Sequence, residues 1–408
     1  MKQLLAYCLS IILCVSFTGC MENYLDLYPE DKITSASFPE NESDIKLLLN
    51  GVYAQLREKE VYNQGLFGFG ITDGATPNAF NWGTDEVFNK LGAGRLSSSD
   101  GGVVTYRWKR CYEIISRANY LLACMDLVDL SEEAKAKYSG ETHFLRGLAY
   151  SVLAETYGGV PIILTDISTE EARSLKRASL EETWQQALDD YEVAITNLGV
   201  DAPEPGRATK GAALGMKMRA YLYQGKYKEV LSCVEQIDAL KKYGLFHSYE
   251  GLFDPANENN KEVLFDIQYI EGENSQGSYI DQYCGTGTGS WTRGSRYVPT
   301  DDLVAAYETI DGSPVDPENP YENRDPRLGF TAVLPGSYFL GYRFPNYLYP
   351  GGAFNHAGNR LKHLSTRKYR IQDESKLPPS GQSYINDIIL RYAAVSYTHL
   401  TLPTTSRV

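Results

Sequence analysis

Three features of the sequence predict an all-α protein. Apolar residues recur at helical spacing almost without interruption over residues 106–244. A further amphipathic pattern occupies residues 42–58, and a short strand pattern is confined to EVLFDIQY, residues 262–269. Beyond residue 244 the chain becomes rich in Gly, Pro, Asn and Tyr. We therefore expect helix pairs that form a scaffold for a loop-rich second half.

The helix predicted near the N-terminus is ESDIKLLLNGVYAQLRE, residues 42–58. Ser43 is the expected N-cap, because a short hydroxyl side chain can accept a hydrogen bond from a free N–H of the first turn. Five apolar residues fall on one face of this helix: Ile45, Leu48, Leu49, Val52 and Leu56. This face should pack against the other helices.

The stretch ATKGAALGMKMRAYLYQGKYKEVLSCVEQI, residues 208–237, resembles a tetratricopeptide repeat. Leu214 lies in the first helix, Gly225 at the turn, and Val230 at the opening of the second helix. Met218 stands where the repeat prefers a small residue, so the copy is degenerate. Because one such pair cannot bury its apolar face alone, several stacked pairs are expected over residues 106–244.

The N-terminus has the pattern of a lipoprotein signal peptide. One positive charge precedes LLAYCLSIILCVSF, an apolar run of 14 residues, which is shorter than the roughly 20 that a bilayer requires. Thr18 and Gly19 are small and precede Cys20; with Phe17 they resemble a bacterial lipobox. We predict cleavage of residues 1–19 and lipidation of Cys20, with an ordinary secreted cysteine or an uncleaved anchor as alternatives.

Composition excludes some partners and favours others. The formal net charge is -13 and the pI is about 5.0, which argues against nucleic acid or an anionic membrane surface as a partner. The 31 tyrosines against 14 phenylalanines suit wet surfaces that grip amphipathic ligands. Four cysteines remain outside the signal and the lipobox: Cys111, Cys124, Cys233 and Cys284. Their spacing matches no metal motif; they are interpreted as buried thiols, with a disulfide as the alternative.

No catalytic motif stands out in the sequence. H-E-x-x-H, C-x-x-C, G-x-S-x-G and a phosphate-binding loop are all missing, and the histidines are scattered. His143 falls in a predicted helix, which favours a structural role. The sequence therefore predicts a binding protein with no cofactor, metal or enzymatic activity. A glycoside hydrolase, which needs only two carboxylates about 5 to 10 Å apart, is the alternative.

Several segments, in this order, resemble the SusD/RagB family of nutrient-binding lipoproteins. After the lipobox they are GVYAQL, RANYLL, FLRGLAYSVLAETYGGVP, RATKGAALGMKMRAYLYQGKY, VPTDDLVAAYE, NRDPRL and INDIILRYA. The resemblance runs over residues 20–394. It implies an outer-membrane lipoprotein facing outside, a loop-built glycan site and a SusC-like TonB-dependent barrel as partner. Peptide capture, as in RagB-like proteins, and a purely structural surface role are the alternatives to glycan binding.

The resemblance also suggests a division of the chain. Residues 20–244 form the helical region, with the tetratricopeptide-like pairs in 106–244. Residues 245–394 form a loop-rich region that we expect to be truncated. VSYTHLTLPTTSRV, residues 395–408, has no helical period and is set apart as a doubtful tail outside the family pattern.

Two loops combine flat aromatic rings with the polar groups that sugar hydroxyls require. The first is TDGATPNAFNWGTDE, residues 72–86, and the second is YIDQYCGTGTGSWTRGSRY, residues 279–297. The candidate ligand-binding residues are Asp73, Asn78, Asn81, Trp82, Tyr283, Trp291, Arg293 and Tyr297. The resemblance implies that the ligand sits between loops from these two regions.

The tryptophans allow two interpretations. Trp82 and Trp291 either stack on a sugar ring or fill the interior of their own loops. Trp291, between Ser290 and Thr292 and without apolar neighbours in the sequence, favours the exposed alternative. Two further tryptophans, Trp108 and Trp184, fall in helical patterns and are interpreted as packing residues.

Overall fold

The computed structural model describes most of the chain between residues 38 and 401. The described ranges are 38–57, 73–81, 90–97, 99–271, 277–278, 297–340, 342–344, 364–371, 373–378 and 382–401. The predictions for Cys20, Trp82, Tyr283, Trp291 and Arg293 lie outside these residues. Across the described ranges, no helix has the length and apolar character needed to cross a membrane.

Helices dominate the region before residue 244. They are α1 (Glu42–Ala54), α2 (Val103–Cys124), α3 (Glu132–Tyr157), α4 (Thr169–Ser174), α5 (Leu180–Asn197), α6 (Lys210–Tyr223) and α7 (Tyr227–Ala239). Shorter helices follow: α8 (Asp301–Ala306), α9 (Arg327–Thr331) and α10 (Tyr392–Thr401). Three single turns of 3₁₀ helix lie at Gly251–Phe253, Pro255–Asn257 and Glu374–Lys376.

The strands are short and pair two by two, all antiparallel. They are β1 (Ala79–Asn81), β2 (Val263–Ile267), β3 (Tyr297–Pro299), β4 (Ala332–Val333), β5 (Tyr338–Phe339), β6 (Tyr342–Arg343), β7 (Ser365–Thr366) and β8 (Asp387–Arg391). The pairs are β1 with β3, β2 with β8, β4 with β7, and β5 with β6. The strand predicted at residues 262–269 is confirmed as β2.

Successive helices pack on one another, which confirms the all-α scaffold of tetratricopeptide-like pairs. Helix α3 packs against both α2 and α5, and α6 packs against α5 and α7. Between α6 and α7 the chain reverses at Gly225, whose φ of 69° is readily adopted by glycine. Gly147 lets α3 approach α5 closely, since an added Cβ there would lie 3.0 Å from Cβ of Asp190.

Helix α1 forms as predicted but with a different cap. Asn41 is the N-cap: its side-chain oxygen accepts hydrogen bonds from the backbone N–H of Ser43 (2.9 Å) and Asp44 (3.2 Å). The prediction of Ser43 as N-cap was wrong because Asn caps equally well and lies two residues earlier. The apolar face is confirmed: Ile45, Leu49, Val52 and Leu56 are buried, and Leu48 packs against the core.

A buried polar network links two of the family-like segments, RANYLL and FLRGLAYSVLAETYGGVP. The Arg146 guanidinium donates to both carboxylate oxygens of Asp190, with the shortest contact at 2.7 Å, and also to Asn119 Oδ1 at 2.8 Å. Asn119 Nδ2 in turn donates to the carbonyls of Ile163 (3.0 Å) and Thr165 (3.2 Å). The network therefore joins α2, α3 and α5 and fixes the loop that follows α3.

The histidine and cysteine predictions fit the helical scaffold. His143 Nδ1 lies 2.8 Å from the Ser139 carbonyl, and burial lowers the pKa of the imidazole. Cys111, Cys124 and Cys233 are buried free thiols, while Cys284 lies outside the described residues. Three cysteines are thus packing residues, as their helical positions predicted.

The two helical tryptophans also pack as predicted. Trp184 is almost fully buried in α5, and its ring lies 6.4 Å from that of Tyr223. Trp108 packs against the core and contacts Tyr112 and Tyr157 at 5.0 and 5.2 Å between ring centroids. Both rings serve the scaffold.

The C-terminal segment departs from the prediction. INDIILRYA forms strand β8 followed by the start of α10, and the helix continues to Thr401. Val395, the first residue of the segment set apart as a tail, is completely buried against the main core. The expectation of no helix after Ala394 was wrong, because this burial and packing against α7 stabilise a helix that the sequence period does not show.

Candidate functional site

Strand β1, in the first predicted loop, pairs with β3, which begins at Tyr297, the last residue of the second. The register pairs Ala79 with Pro299 and Asn81 with Tyr297. Just beyond the strands, the Thr300 backbone N–H donates to the Asn78 carbonyl at 3.0 Å. The N-terminal loop is thereby joined to a segment more than 200 residues later. The backbone therefore places Asn81 of the first region beside Tyr297 at the end of the second.

A cavity of about 180 Å³ opens beside this strand pair. It is lined by Asp73, Asn78, Ala79, Tyr249, Pro299, Leu303, Tyr307, Thr331, Thr366 and Lys368. Pockets that enclose a drug-sized molecule are typically about 300–1,000 Å³, so this cavity has room for a small group or one end of a longer ligand.

Of the predicted residues, Asp73 and Asn78 line the cavity. Asn81 and Tyr297 are paired through their backbones at its edge, and the structure does not describe where their side chains lie. Trp82, Tyr283, Trp291 and Arg293 fall outside the described residues, so their assignment stays a prediction.

Two tyrosines form a wall that the residue-level predictions missed. The Tyr307 hydroxyl is 2.9 Å from Thr331 Oγ1. Tyr249 packs edge-on against Phe253 with 5.4 Å between ring centroids, and burial raises the pKa of its hydroxyl. Tyr307 belongs to VPTDDLVAAYE, a family-like segment. This resemblance was the sequence feature that could have identified Tyr307 as a candidate residue. Tyr249 carries no comparable signal, because only the tertiary packing brings it to the cavity.

Lys368 is the cationic group of the cavity and was also missed. Its Nζ lies 4.5 Å from the centre of the Phe253 ring. Burial lowers the pKa of Lys368 to about 8; the nearby Arg391 acts in the same direction, and Asp73 opposes both. Burial also raises the pKa of Asp73, against the effect of Lys368. Two partly buried opposite charges thus act on each other at one cavity.

The arrangement suits recognition of a polar molecule. Ammonium donors, carboxylate acceptors, Thr hydroxyls and Tyr rings lie around one small opening, and sugars require this mixture of polar and flat apolar groups. Over the described part of the chain, no group of three or more His, Cys, Asp or Glu is arranged to hold a metal ion.

A second, larger cavity of about 420 Å³ lies between the loop before α6 and the chain leading into β2. Its charged lining groups are mostly committed to internal pairs. Lys242 Nζ lies 2.7 Å from Asp201, and Arg207 contacts both Glu204 and Glu141 at 3.4 Å. Because these pairs already satisfy one another, this cavity is a weaker candidate than the one beside β1 and β3.

The architecture defines a helical-repeat protein whose loop-rich half carries a polar cavity. Two sequence models of one family match it: one described as starch-binding and associating with the outer membrane covers residues 23–222, and one described as the SusD family covers residues 261–398. The chain belongs to the SusD/RagB family. The second match continues past Ala394 into α10.

Curated relatives agree with this assignment. SusD-like protein P25 of Formosa agariphila is 26% identical over 321 residues, covering 73% of this chain and 58% of the relative. SusD-like protein P2 of the same organism is 23% identical, covering 68% of this chain and 55% of the relative. The chain therefore spans somewhat more than half the length of these relatives.

Solved structures share the fold. A SusD-like carbohydrate binding protein from Bacteroides fragilis superposes with a TM-score of 0.76 at 26% identity, covering 88% of this chain and 73% of that one. A laminarin-binding SusD-like protein has a TM-score of 0.69 at 19% identity, covering 88% and 80%. At 19% identity the second likeness concerns the fold alone.

Proposed function

We propose that this protein captures glycans at the cavity beside β1 and β3 and delivers them to a SusC-like TonB-dependent barrel in the outer membrane. Lipid on Cys20 anchors it, and the body faces outside. One observation supports the site: the β1–β3 pairing joins the first loop to Tyr297 at the end of the second, and Asp73, Asn78 and two tyrosines line the cavity beside it.

Family membership supports the proposal in outline. The matched sequence model is described as starch-binding and outer-membrane-associated, and the solved relative from Bacteroides fragilis is a carbohydrate binding protein. Glycan capture without turnover is the simplest function for a small polar cavity of this kind. We expect dissociation constants of about 10 μM to 1 mM, corresponding to roughly -7 to -4 kcal/mol.

Titration of purified protein against a panel of plant, host and microbial polysaccharides tests glycan capture. Tyr307→Ala should weaken binding of any retained glycan by about tenfold, because removing an aromatic anchor costs on the order of 1 to 2 kcal/mol. Trp291→Ala should do the same if its ring stacks on the ligand. The matched control is Tyr227→Ala, an exposed tyrosine on the scaffold helix α7.

The outcome also separates binding from catalysis. A bound glycan should keep its chain length during incubation, whereas release of reducing ends in proportion to protein concentration would favour the hydrolase alternative. If Tyr307→Ala and Trp291→Ala both bind as tightly as the Tyr227→Ala control, the ligand site lies elsewhere.

Anchoring and partnership have their own tests. Cys20→Ser should abolish lipid labelling and release the protein from the membrane fraction. Protease shaving of intact cells should remove the body of a surface-exposed protein. Pull-down from detergent-solubilised outer membrane should recover a large TonB-dependent barrel; recovery of the lipoprotein alone under several mild detergents would argue against that partner.

A further inference from the structure

We infer that Lys368 and Asp73 form a donor and acceptor pair that makes the cavity select an uncharged sugar over an acidic one. This inference rests on the proposed function and specifies its substrate class. The two side chains come from chain segments almost 300 residues apart, and both line the cavity.

Both charged groups can still form hydrogen bonds with a ligand. Within the described residues, the Lys368 ammonium donates no hydrogen bond and the Asp73 carboxylate accepts none, and no direct ion pair joins them. A partly buried charge that lacks a hydrogen-bond partner is unfavourable. A ligand that supplies an acceptor to Lys368 and a donor to Asp73 would satisfy both groups.

The lysine is held in place by its surroundings. Its backbone N–H and that of Arg367 point to the Thr331 carbonyl, at 3.4 and 2.8 Å. The ammonium rests over the Phe253 ring at 4.5 Å and lies 5.5 Å from the centre of the Tyr369 ring. These contacts limit where the donor can move, so the cavity presents it with little loss of side-chain freedom on binding.

The neighbouring charges are close to balanced. Arg391, which packs over Tyr249 and Phe253, is paired with Glu262 at 3.1 Å. Burial, followed by the charges of Asp266 and Asp73, raises the pKa of Asp387 to about 7, so this carboxyl carries only part of a negative charge near neutral pH. The ligand therefore meets one cation and one anion without a large excess of either sign.

This balance decides between ligand classes. Adjacent hydroxyls of a neutral sugar can accept from Lys368 and donate to Asp73 at the same time. A uronate or sulfate group would satisfy Lys368 but would place a second negative charge beside Asp73, and like charges in a poorly solvated site repel strongly. The neutral ring satisfies both groups, whereas the acidic one satisfies only one.

The test compares neutral and acidic polysaccharides on the purified protein. The neutral probes are starch, laminarin and xyloglucan, and the acidic probes are homogalacturonan, alginate and chondroitin sulfate. We expect the protein to bind the neutral probes and not the acidic ones. Lys368→Met, which keeps the apolar stem, should weaken that binding by about tenfold or more, because it removes a charge-assisted hydrogen bond to the ligand.

Asp73→Asn discriminates this inference from simple loss of the site. It should weaken neutral binding and at the same time increase retention by acidic probes, since the repelling charge is gone. Lys376→Met is the matched control, because this exposed lysine lies on a 3₁₀ turn and pairs with Asp373. It should leave binding unchanged.

The outcomes separate the two proposals. Binding of acidic probes by the wild type, as tight as that of neutral probes or tighter, overturns the inference but leaves glycan capture standing. Neutral binding that Lys368→Met and Asp73→Asn leave at the level of the Lys376→Met control also overturns it. Failure of every probe to bind the wild type contradicts both the inference and the proposed function.

Discussion

Arg146 and Asp190 show how single residues in the family-like segments serve the scaffold. Their ion pair joins α3 to α5 with side chains 7% and 2% exposed, and Arg146 also bonds to Asn119. Arg146 belongs to FLRGLAYSVLAETYGGVP and Asn119 to RANYLL. The two segments are therefore linked by one network that fixes the loop after α3.

Arg146→Met should destabilise the protein by about 3–5 kcal/mol. Removing one partner of a buried pair leaves the other charge without compensation, and Asp190 would remain buried. Urea unfolding followed by circular dichroism measures the change. The control is Lys135→Met, whose pair with Asp126 is exposed to solvent and should contribute far less to stability. Equal losses in the two variants would show that the buried pair has no special role.

A glycine in the same segment sets the distance between two helices. An added Cβ at Gly147 would lie 3.0 Å from Cβ of Asp190 and 3.1 Å from the Ala187 carbonyl oxygen. Both contacts are tighter than ordinary van der Waals separation, and one is to backbone.

Gly147→Ala should therefore lower the free energy of unfolding by about 1–3 kcal/mol through overpacking, despite the higher helix propensity of alanine. Chemical denaturation measures it. The control is Gly51→Ala in α1, where the added methyl would meet only the end of the Arg117 side chain at 3.6 Å. If Gly147→Ala instead raised the free energy of unfolding, α3 and α5 could move apart to accept the methyl group without losing stability, and close packing at Gly147 would not be required.

At the level of elements, β2 and β8 carry a buried carboxylate network. Asn386 Nδ2 donates to Asp266 at 3.2 Å, and its backbone N–H donates to Glu258 at 2.8 Å. Gln268 also donates to Asp266, at 2.7 Å. Burial nevertheless raises the pKa of Asp266 to about 6 and that of Glu258 to about 7.

The sign of the pH effect follows from these shifts. Between about pH 4 and 6 the folded state holds a proton on Asp266 that the unfolded state has lost, so the contribution of Asp266 to stability falls as pH rises through that window. Asp266→Asn removes the titrating group. The free energy of unfolding of the wild type, relative to this variant, should decrease from about pH 4 to 7.

Denaturant titrations at several pH values give this difference directly. Using the difference removes the opposite effect of exposed carboxylates with lowered pKa values, such as Asp311 and Asp373. A difference that stays constant across the window, or grows with pH, would contradict the assignment of a raised pKa to Asp266.

At the scale of the whole molecule, the described residues form one large hydrophobic core and two smaller clusters. The large core unites the scaffold helices with β2 and β8. A separate cluster of Leu252, Phe253, Tyr369, Ile371 and Ile385 lies next to the cavity residues. Phe253 connects this cluster to the cavity, since its ring contacts Tyr369 in the cluster and Tyr249 and Lys368 in the cavity lining.

Phe253→Ala should therefore weaken glycan binding while leaving the scaffold folded. Hydrogen exchange should accelerate in the segments that carry Tyr249 and Lys368, with the amides of α3 and α5 unchanged, because the small cluster can open separately from the large core. Exchange followed by mass spectrometry, alongside glycan titration, measures both effects. Uniform acceleration across α3 and α5 would mean that the two cores unfold together.

Helical periodicity in the sequence predicted most of the scaffold. Stacked pairs over residues 106–244, the buried face of α1 and the strand β2 all follow from patterns that repeat at local spacing. The N-cap of α1 was assigned to Ser43 instead of Asn41 because both residue types are good N-caps, and the local sequence does not show which of the two starts the helix. Helix α10 was missed because burial of Val395 supports it, and that burial depends on distant helices.

Two of the residues that line the candidate cavity were named from the sequence, and the others were not. Asp73 and Asn78 could be named because sugar-binding chemistry selects their residue types within an irregular loop. Tyr249 and Lys368 could not, because each lies in a segment without a local signal and reaches the cavity through tertiary packing. The partnership of Lys368 with Asp73 depends on their distance, burial and orientation in space. Local sequence determined the scaffold helices before residue 244, because their apolar residues repeat at helical spacing. Tertiary packing decided helix α10 and the pairing of remote strands and charges around the cavity, because these depend on contacts between distant segments.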